Sequence, residues 1–118
     1  MKNESLRKSF KEYERIAALA AEAVMSVEGV AALSPTGMDI INDSFGINAP
    51  EGIKLSEKNG ELTIDIYVTV HFGMQIPEIS WDIQEKVKNA LEGESDYTTG
   101  SVNIHIEGIR FPEVKGKQ

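Results

Sequence analysis

The N-terminal part of the chain has the hydrophobic pattern of an amphipathic helix. Apolar residues recur there at spacings of three and four, which is the period of one helix face. They are Phe10, Tyr13, Ala17, Ala20, Val24 and Val27, and Leu6 extends the stripe backwards. Ser9 and Glu12 have the S-x-x-E spacing of a capping box, so the pattern predicts a helix over roughly residues 10–27. Gly29 is expected to end it, and a short apolar strand follows at residues 30–33.

Residues 34–50 show no sustained period and contain Pro35, Gly37 and Pro50, which predicts a long loop. The segment is nevertheless rich in apolar residues, namely Met38, Ile40, Ile41, Phe45 and Ile47. Two interpretations follow. Either a short helical turn packs back on the core, or the segment contacts a partner. The general tendency of apolar residues to be buried favours the first.

A β-hairpin is predicted around Asn59-Gly60, because this pair suits a two-residue type I′ turn between two alternating runs. The turn places Lys58 opposite Glu61, and it also pairs Leu55 with Ile64 and Ile53 with Ile66. On the second strand, every other residue is apolar and should face one side: Leu62, Ile64, Ile66, Val68, Val70 and Phe72. This alternation predicts a sheet with one buried face and one wet face.

A second amphipathic helix should begin near Pro77 and end near Gly93. Its apolar stripe consists of Ile76, Ile79, Ile83, Val87, Ala90 and Leu91. Trp81 lies about 140° from the centre of that stripe. After a polar turn at residues 94–100, a last alternating strand places Val102, Ile104 and Ile106 inward.

These elements predict an α+β fold in the order α-β-(loop)-β-β-α-β. Two amphipathic helices would cover one face of a small mixed sheet of about four strands, as a two-layer sandwich. The strand–helix–strand step should be a right-handed crossover, which makes its two strands parallel. We expect one domain over residues 10–113, preceded by an N-terminal arm, residues 1–9, and followed by a polar tail, residues 114–118.

Composition narrows the function classes. The 118 residues carry a net charge of −7 and contain no cysteine, which excludes disulfides and thiolate metal sites. The acidic balance argues against a nucleic-acid binder with an overall basic surface, so no direct nucleic-acid binding is expected. No apolar window approaches the roughly 18 residues of a membrane-spanning helix, and no signal-peptide pattern is present. We therefore expect a soluble, intracellular protein.

The candidate chemistry is limited. His71 and His105 fall on the outward sheet face with Asp65 and Glu107, a set that could hold a metal ion if the strands are adjacent. The favoured interpretation is that strand alternation simply places these polar residues in solvent. No phosphate loop, dinucleotide pattern or nucleophile elbow is present. We therefore predict no catalytic residue, no cofactor and no metal.

Several ordered motifs resemble the alkaline shock protein family, the general stress proteins of Gram-positive bacteria. They are VEGVA at 27–31, IDIYV at 64–68, IPEI at 76–79, the I-Q-x-x-V-K run at 83–88 and VNIHIEGIRF at 102–111. The resemblance implies a non-enzymatic scaffold or adaptor that is linked to stress and to cell-envelope homeostasis. It also implies a cytoplasmic homo-oligomer, peripheral at the inner face of the membrane through a small membrane-anchored protein partner.

The candidate partner surface combines positions of the family motifs, Glu78, Gln84, Arg110 and Phe111, with Trp81. For Trp81 two interpretations stay open: an interface anchor, or a side chain covered by the 34–50 segment or the N-terminal segment. Phe111 could likewise contact a partner or close the core. Two alternative functions also remain, an RNA-binding module, and an enzyme or metal protein that uses the His71/His105 sheet face.

Overall fold

The computed structural model describes residues 2–44, 46 and 48–113, with side chains other than those of 2–9, 38 and 41–43. Within these described residues, three helices and four strands follow one another. They are α1 (Lys2–Met25), β1 (Val30–Leu33), α2 (Gly37–Ser44), β2 (Ile53–Lys58), β3 (Glu61–His71), α3 (Ile76–Leu91) and β4 (Thr98–Arg110). The predicted order is confirmed, with α2 added inside the long loop.

Strand β3 is the centre of a four-stranded mixed sheet. β4 runs parallel to β3 along its whole length, which confirms the predicted crossover through α3. β1 and β2 both pair antiparallel with β3, β2 along its first half and β1 along its second half. Because a strand has only two edges, β1 and β2 share the edge that β4 leaves free.

The hairpin between β2 and β3 has the predicted register. Ile53 faces Ile66 and Lys58 faces Glu61. The two turn residues have positive φ angles of 53° at Asn59 and 79° at Gly60, as a type I′ turn requires.

The core lies between this sheet and the helices α1 and α3. The inward residues of β3 from Leu62 to Val70 are at most 5% exposed, and the α3 stripe of Ile79, Ile83, Val87 and Leu91 is buried against them. On α1, Ala17 and Ala20 are 0% exposed, because their small side chains allow the helix to lie close to its neighbours. The two-layer α+β sandwich is thereby confirmed.

The start of α1 was predicted wrongly. The helix begins at Lys2 and not near residue 10, so Ser9 lies inside the helix and not at its N-terminus. Residues 2–8 contain no Pro or Gly, and extending an existing helix over such residues is much easier than nucleating a new one. Residues 2–9 of the predicted arm are therefore helical. Phe10 is 38% exposed and does not join the core.

The long loop agrees with the prediction in part, since it contains a short helix and its Ala49 packs against the core, and the last strand begins earlier than predicted. The 34–50 segment contains an eight-residue helix, α2, but its Ile40 is 70% exposed and does not pack on the core. Phe45 and Ile47 lie outside the described residues, as do the side chains of Met38 and Ile41. β4 begins at Thr98, inside the predicted polar turn, because Gly60 and Glu61 offer it backbone partners there.

One surface ion pair ties α1 to the turn after α3. The Arg15 guanidinium lies 3.1 Å from a Glu12 carboxylate oxygen and 3.3 Å from one of Glu94, and it also donates to the Glu94 backbone carbonyl. The hydrogen bond to Glu12 is the main cause that raises the pKa of Arg15 above its ordinary value. Arg15 therefore carries its charge at every physiological pH.

Candidate partner surface

Strands β3 and β4 end side by side, and an exposed aromatic pair follows their last residues. The Phe72 backbone N–H donates to the Arg110 carbonyl oxygen over 2.9 Å. The rings of Phe72 and Phe111 contact each other with centroids 4.9 Å apart and an interplanar angle of 32°. Nearby in the chain, three further apolar side chains are more than a third exposed. We call the whole set the aromatic end: Phe72, Met74, Ile76, Ile109 and Phe111.

Strand topology accounts for this exposure. Parallel neighbours finish at the same end of a sheet, so the residues after His71 and Arg110 leave the sheet together. The helix that covers the inward face starts only at Ile76. Phe72 was predicted to point into the core and is instead 59% exposed, because it stands just beyond β3. The prediction that Phe111 could close the core is likewise wrong, since it is 65% exposed.

The aromatic end is large enough to bind a partner. With roughly 200 Å² for each Phe side chain, the exposed fractions of 59% and 65% leave about 250 Å² of aromatic surface in water. Met74, Ile76 and Ile109 add to it, which brings the patch into the range of about 300–600 Å² that often marks an interaction site. Arg110 is exposed beside it, paired in register with His71.

The other predicted surface residues lie on α3 and have different environments. Glu78 is exposed, and Trp81 is 62% exposed, so the interpretation in which another segment covers Trp81 is wrong. Gln84 is partly buried, and its side-chain amide donates to the Val102 carbonyl oxygen over 3.0 Å. Gln84 therefore joins α3 to β4 and does not present a free side chain to a partner.

Sequence reasoning missed Phe72, Met74 and Ile109 as surface residues. Their apolar character indicated the core, and the alternation of β3 placed Phe72 inward. One signal could have found Phe72: Gly73 directly follows it, which indicates that the strand ends there and that the alternation no longer applies.

The outward sheet face brings together one histidine and one carboxylate. The His105 Nε2 atom lies 2.9 Å from Asp65 Oδ1, and Asn103 donates to the same oxygen over 3.3 Å. The His105 ring also stacks on Tyr67, with centroids 4.3 Å apart. His71 lies four residues beyond Tyr67 on β3. At the usual rise per residue of a strand, the Cα atoms of these two residues are about 13 Å apart.

This arrangement does not assemble the metal site considered from the sequence. His71 pairs with Arg110 while His105 pairs with Tyr67, so the two imidazoles face different neighbours. Glu107 falls at a bulge in the β3–β4 register. Within the described part of the chain, no three His, Cys, Asp or Glu side chains are placed to hold one metal ion.

The fold and the site together define a small α+β domain with an exposed apolar contact surface. Comparison with known proteins gives the family. A model of the alkaline shock protein 23 family, a family with a cell envelope-related function, matches residues 2–111, and the chain belongs to this family. Among the helices that the structure describes, none has the length and apolar character needed to cross a membrane.

Two relatives illustrate the similarity. The chain is 32% identical over 99 residues to the uncharacterized protein YqhY of Bacillus subtilis (strain 168), a match that covers 83% of this chain and 73% of YqhY. It is 38% identical over 89 residues to the uncharacterized protein Spy1535 of Streptococcus pyogenes serotype M6, covering 74% of this chain and 67% of that protein.

Solved structures of MamM CTD variants share the fold. One has a TM-score of 0.51 at 15% identity, and the match covers 83% of this chain and 96% of that one. Another has a TM-score of 0.50 at 16% identity, with 81% and 95% covered. At this level of identity the likeness concerns the fold alone.

Proposed function

We propose that this protein is a non-enzymatic scaffold or adaptor in cell-envelope homeostasis under stress. In this proposal it is cytoplasmic, associates with itself, and binds a small membrane-anchored protein at the inner face of the membrane. The single observation that carries the proposal is the aromatic end, where two contacting Phe rings remain more than half exposed.

The physical argument rests on the cost of exposed aromatic surface. Each Phe ring left in water forgoes about 1.5–3 kcal/mol that burial would contribute, and a partner that covers both rings recovers this free energy. Aromatic and Arg side chains are also the residue types that are enriched at protein interfaces, and Arg110 stands beside the rings. The partner's contact segment should therefore combine apolar side chains with a carboxylate for Arg110.

A mechanism by contact, without catalysis, agrees with the polar groups that the structure describes. The Asp65–His105 pair lies on the outward sheet face, where Asn103 donates to Asp65, Tyr67 stacks on His105 and Lys54 stands opposite Asp65 on β2. The proposal assigns these groups structural contacts between the strands and no catalytic role. The family's cell envelope-related function supports a role at the envelope.

The test is a fractionation experiment in the organism that encodes the protein. Three tagged forms are expressed at equal level: wild type, the double variant Phe72→Ser/Phe111→Ser, and the control Ile40→Ser. Ile40 is 70% exposed on α2, so the control removes an equally exposed apolar side chain from a different surface. Each membrane fraction is solubilised in mild detergent, and co-purifying proteins are identified by mass spectrometry.

We expect wild type and Ile40→Ser in the membrane fraction, each with the same small membrane protein, and the double variant in the cytosol without it. If all three forms fractionate alike, the aromatic end is not the contact surface. If wild type is purely cytosolic and co-purifies with RNA or an enzyme, the scaffold proposal is overturned.

A further inference from the structure

The outer edge of β4 contains a central stretch, residues 101–106, that carries no charged acidic or basic side chain, no Pro and no bulge. In the part of the chain that the structure describes, β4 pairs with β3 and with no other strand. From Thr98 to Ile106 the sequence contains no Lys, Arg, Asp, Glu or Pro. Soluble proteins place such residues on free edges, because unprotected edges pair with other chains.

The opposite edge of the same sheet shows the contrast. There β2 carries three charged side chains among its six residues, namely Lys54, Glu57 and Lys58. The β2 part of that edge, which β1 continues along β3, thus carries charges that the central stretch of β4 lacks. The β2 edge is protected and the β4 edge is open to a further strand.

We infer that β4 pairs antiparallel with β4 of a second copy of this chain, with Ile104 on the two-fold axis. The result is one continuous sheet of eight strands, four from each copy. This inference deepens the self-association part of the proposed function and rests on it.

The register follows from matching side chains on the inward face. Facing residues in an antiparallel pair lie on the same side of the sheet. With Ile104 on the axis, Ile104 faces Ile104 of the second copy, and Val102 faces Ile106 of the second copy. Each inward residue of the stretch Val102–Ile106 then has an apolar partner. With Asn103 on the axis, Ile106 would face Gly100, which offers no side chain.

The geometry of β4 limits the pairing to this same stretch. Gly100 and Glu107 are both skipped in the register with β3, so each marks a bulge. Residues 101–106 between the bulges are in regular register, and Ile104 is the centre of Val102–Ile106. Ile104 and Ile106 are inward but only partly buried at this edge, and a second copy would cover them.

Helix α3 supports the same assembly. Gln84 binds the Val102 carbonyl, which places this side of α3 over β4. Trp81 lies one turn before Gln84 on the adjacent helix surface and is 62% exposed. A second copy joined at β4 brings its own α3 toward this surface. Trp81 is the only Trp in the chain, so its fluorescence reports the event directly.

Because the chain has no native cysteine, a disulfide can test the register. In the proposed pairing Asn103 faces His105 of the second copy. Two single variants, Asn103→Cys and His105→Cys, are prepared with tags of different mass. Oxidation of their mixture should yield at least about tenfold more disulfide-linked heterodimer than either variant alone yields homodimer, because only facing residues satisfy disulfide geometry. Ser56→Cys on the protected β2 edge, mixed with either variant, serves as the control and should remain unlinked.

Four further measurements complete the test. Wild type should elute with twice the 13.0 kDa chain mass, and its Trp81 emission should shift to the blue as concentration rises. Asn103→Lys/His105→Lys, which places Lys against Lys in both pairs, should be folded and monomeric.

A monomeric wild type overturns the inference, and efficient linking of Asn103→Cys with itself overturns the register. Phe72→Ser/Phe111→Ser should still dimerise, so loss of the dimer and loss of the membrane partner are separable outcomes.

Discussion

Gly52→Ala should be among the most destabilising single-methyl additions in this protein, because of where β1 and β2 meet. Both strands share one edge of β3, and Gly52 stands at their junction opposite Tyr67. The Tyr67 N–H donates to the Gly52 carbonyl over 2.9 Å, and the Ser34 N–H donates to the Tyr67 carbonyl over 2.8 Å. A Cβ at Gly52 would lie 2.9 Å from the backbone oxygens of both Ser34 and Tyr67.

The loss of folding free energy that we expect for Gly52→Ala has two parts, and a matched control variant separates them. Gly52 and Gly60 have nearly the same φ, +78° and +79°, but a Cβ at Gly60 meets nothing within 4 Å. Gly60→Ala therefore measures only the cost of holding an alanine at a positive φ. We expect a net loss of about 1 kcal/mol, because the lower entropy of the unfolded chain offsets part of that cost. At Gly52 the clash is with hydrogen-bonded backbone that cannot rotate away, which adds about 2–3 kcal/mol.

The assay is urea and thermal unfolding followed by far-UV circular dichroism, with all proteins at one concentration because self-association would shift the midpoint. For a chain of this size, 1 kcal/mol corresponds to about 4 °C in Tm. We expect Gly60→Ala to lower Tm by about 4 °C and Gly52→Ala by about 12–16 °C. Equal losses for the two variants would refute the reasoning, since they would leave no cost for the contacts at the junction.

Four further outcomes are expected. Ile83→Ala removes a side chain that is 0% exposed and should cost about 3 kcal/mol by urea unfolding. Gln84→Ala loses the bond to Val102 and should cost about 1 kcal/mol while membrane-partner recovery stays unchanged. Trp81→Ala should alter monomer stability by less than about 0.5 kcal/mol, and a larger loss would mean that Trp81 is covered. Addition of Zn²⁺ or Ni²⁺ should leave Tm within about 1 °C, and a clear rise that His105→Ala abolishes would establish a metal site.

The parts of the fold that the sequence predicts correctly are those decided within one or two neighbouring elements. Asn59 and Gly60 determine the turn type, and the turn then determines which β2 residue faces which β3 residue. The stripe on α3 and the alternation on β3 agree in placing one face of each in the core. The parallel β3–β4 pair follows because the handedness of the crossover leaves one simple arrangement.

The features that escape prediction depend on where one element ends relative to another. Phe72 continues the apolar alternation of β3, and only the end of the strand and the start of α3 leave it in water. Gln84 is polar on the edge of a helix stripe, and only the position of Val102 shows that it is part of the packing between α3 and β4. The start of α1 also depends on helix propagation, which a cap-like pair such as Ser9 and Glu12 does not by itself stop.

The aromatic end and the outer edge of β4 have different physical origins, and this difference would give them separate roles. The aromatic end arises where β3 and β4 finish together, at the start of the covering helix α3, so a partner can bind it without altering the sheet. The β4 edge offers backbone donors and acceptors, and only a strand can use them fully. Occupation of the edge by a second copy leaves both aromatic ends free, because all five of their residues lie outside the paired stretch Val102–Ile106. A two-fold dimer would thus present two equal binding sites, and a membrane-anchored partner held at both would bind with an avidity greater than either site gives alone.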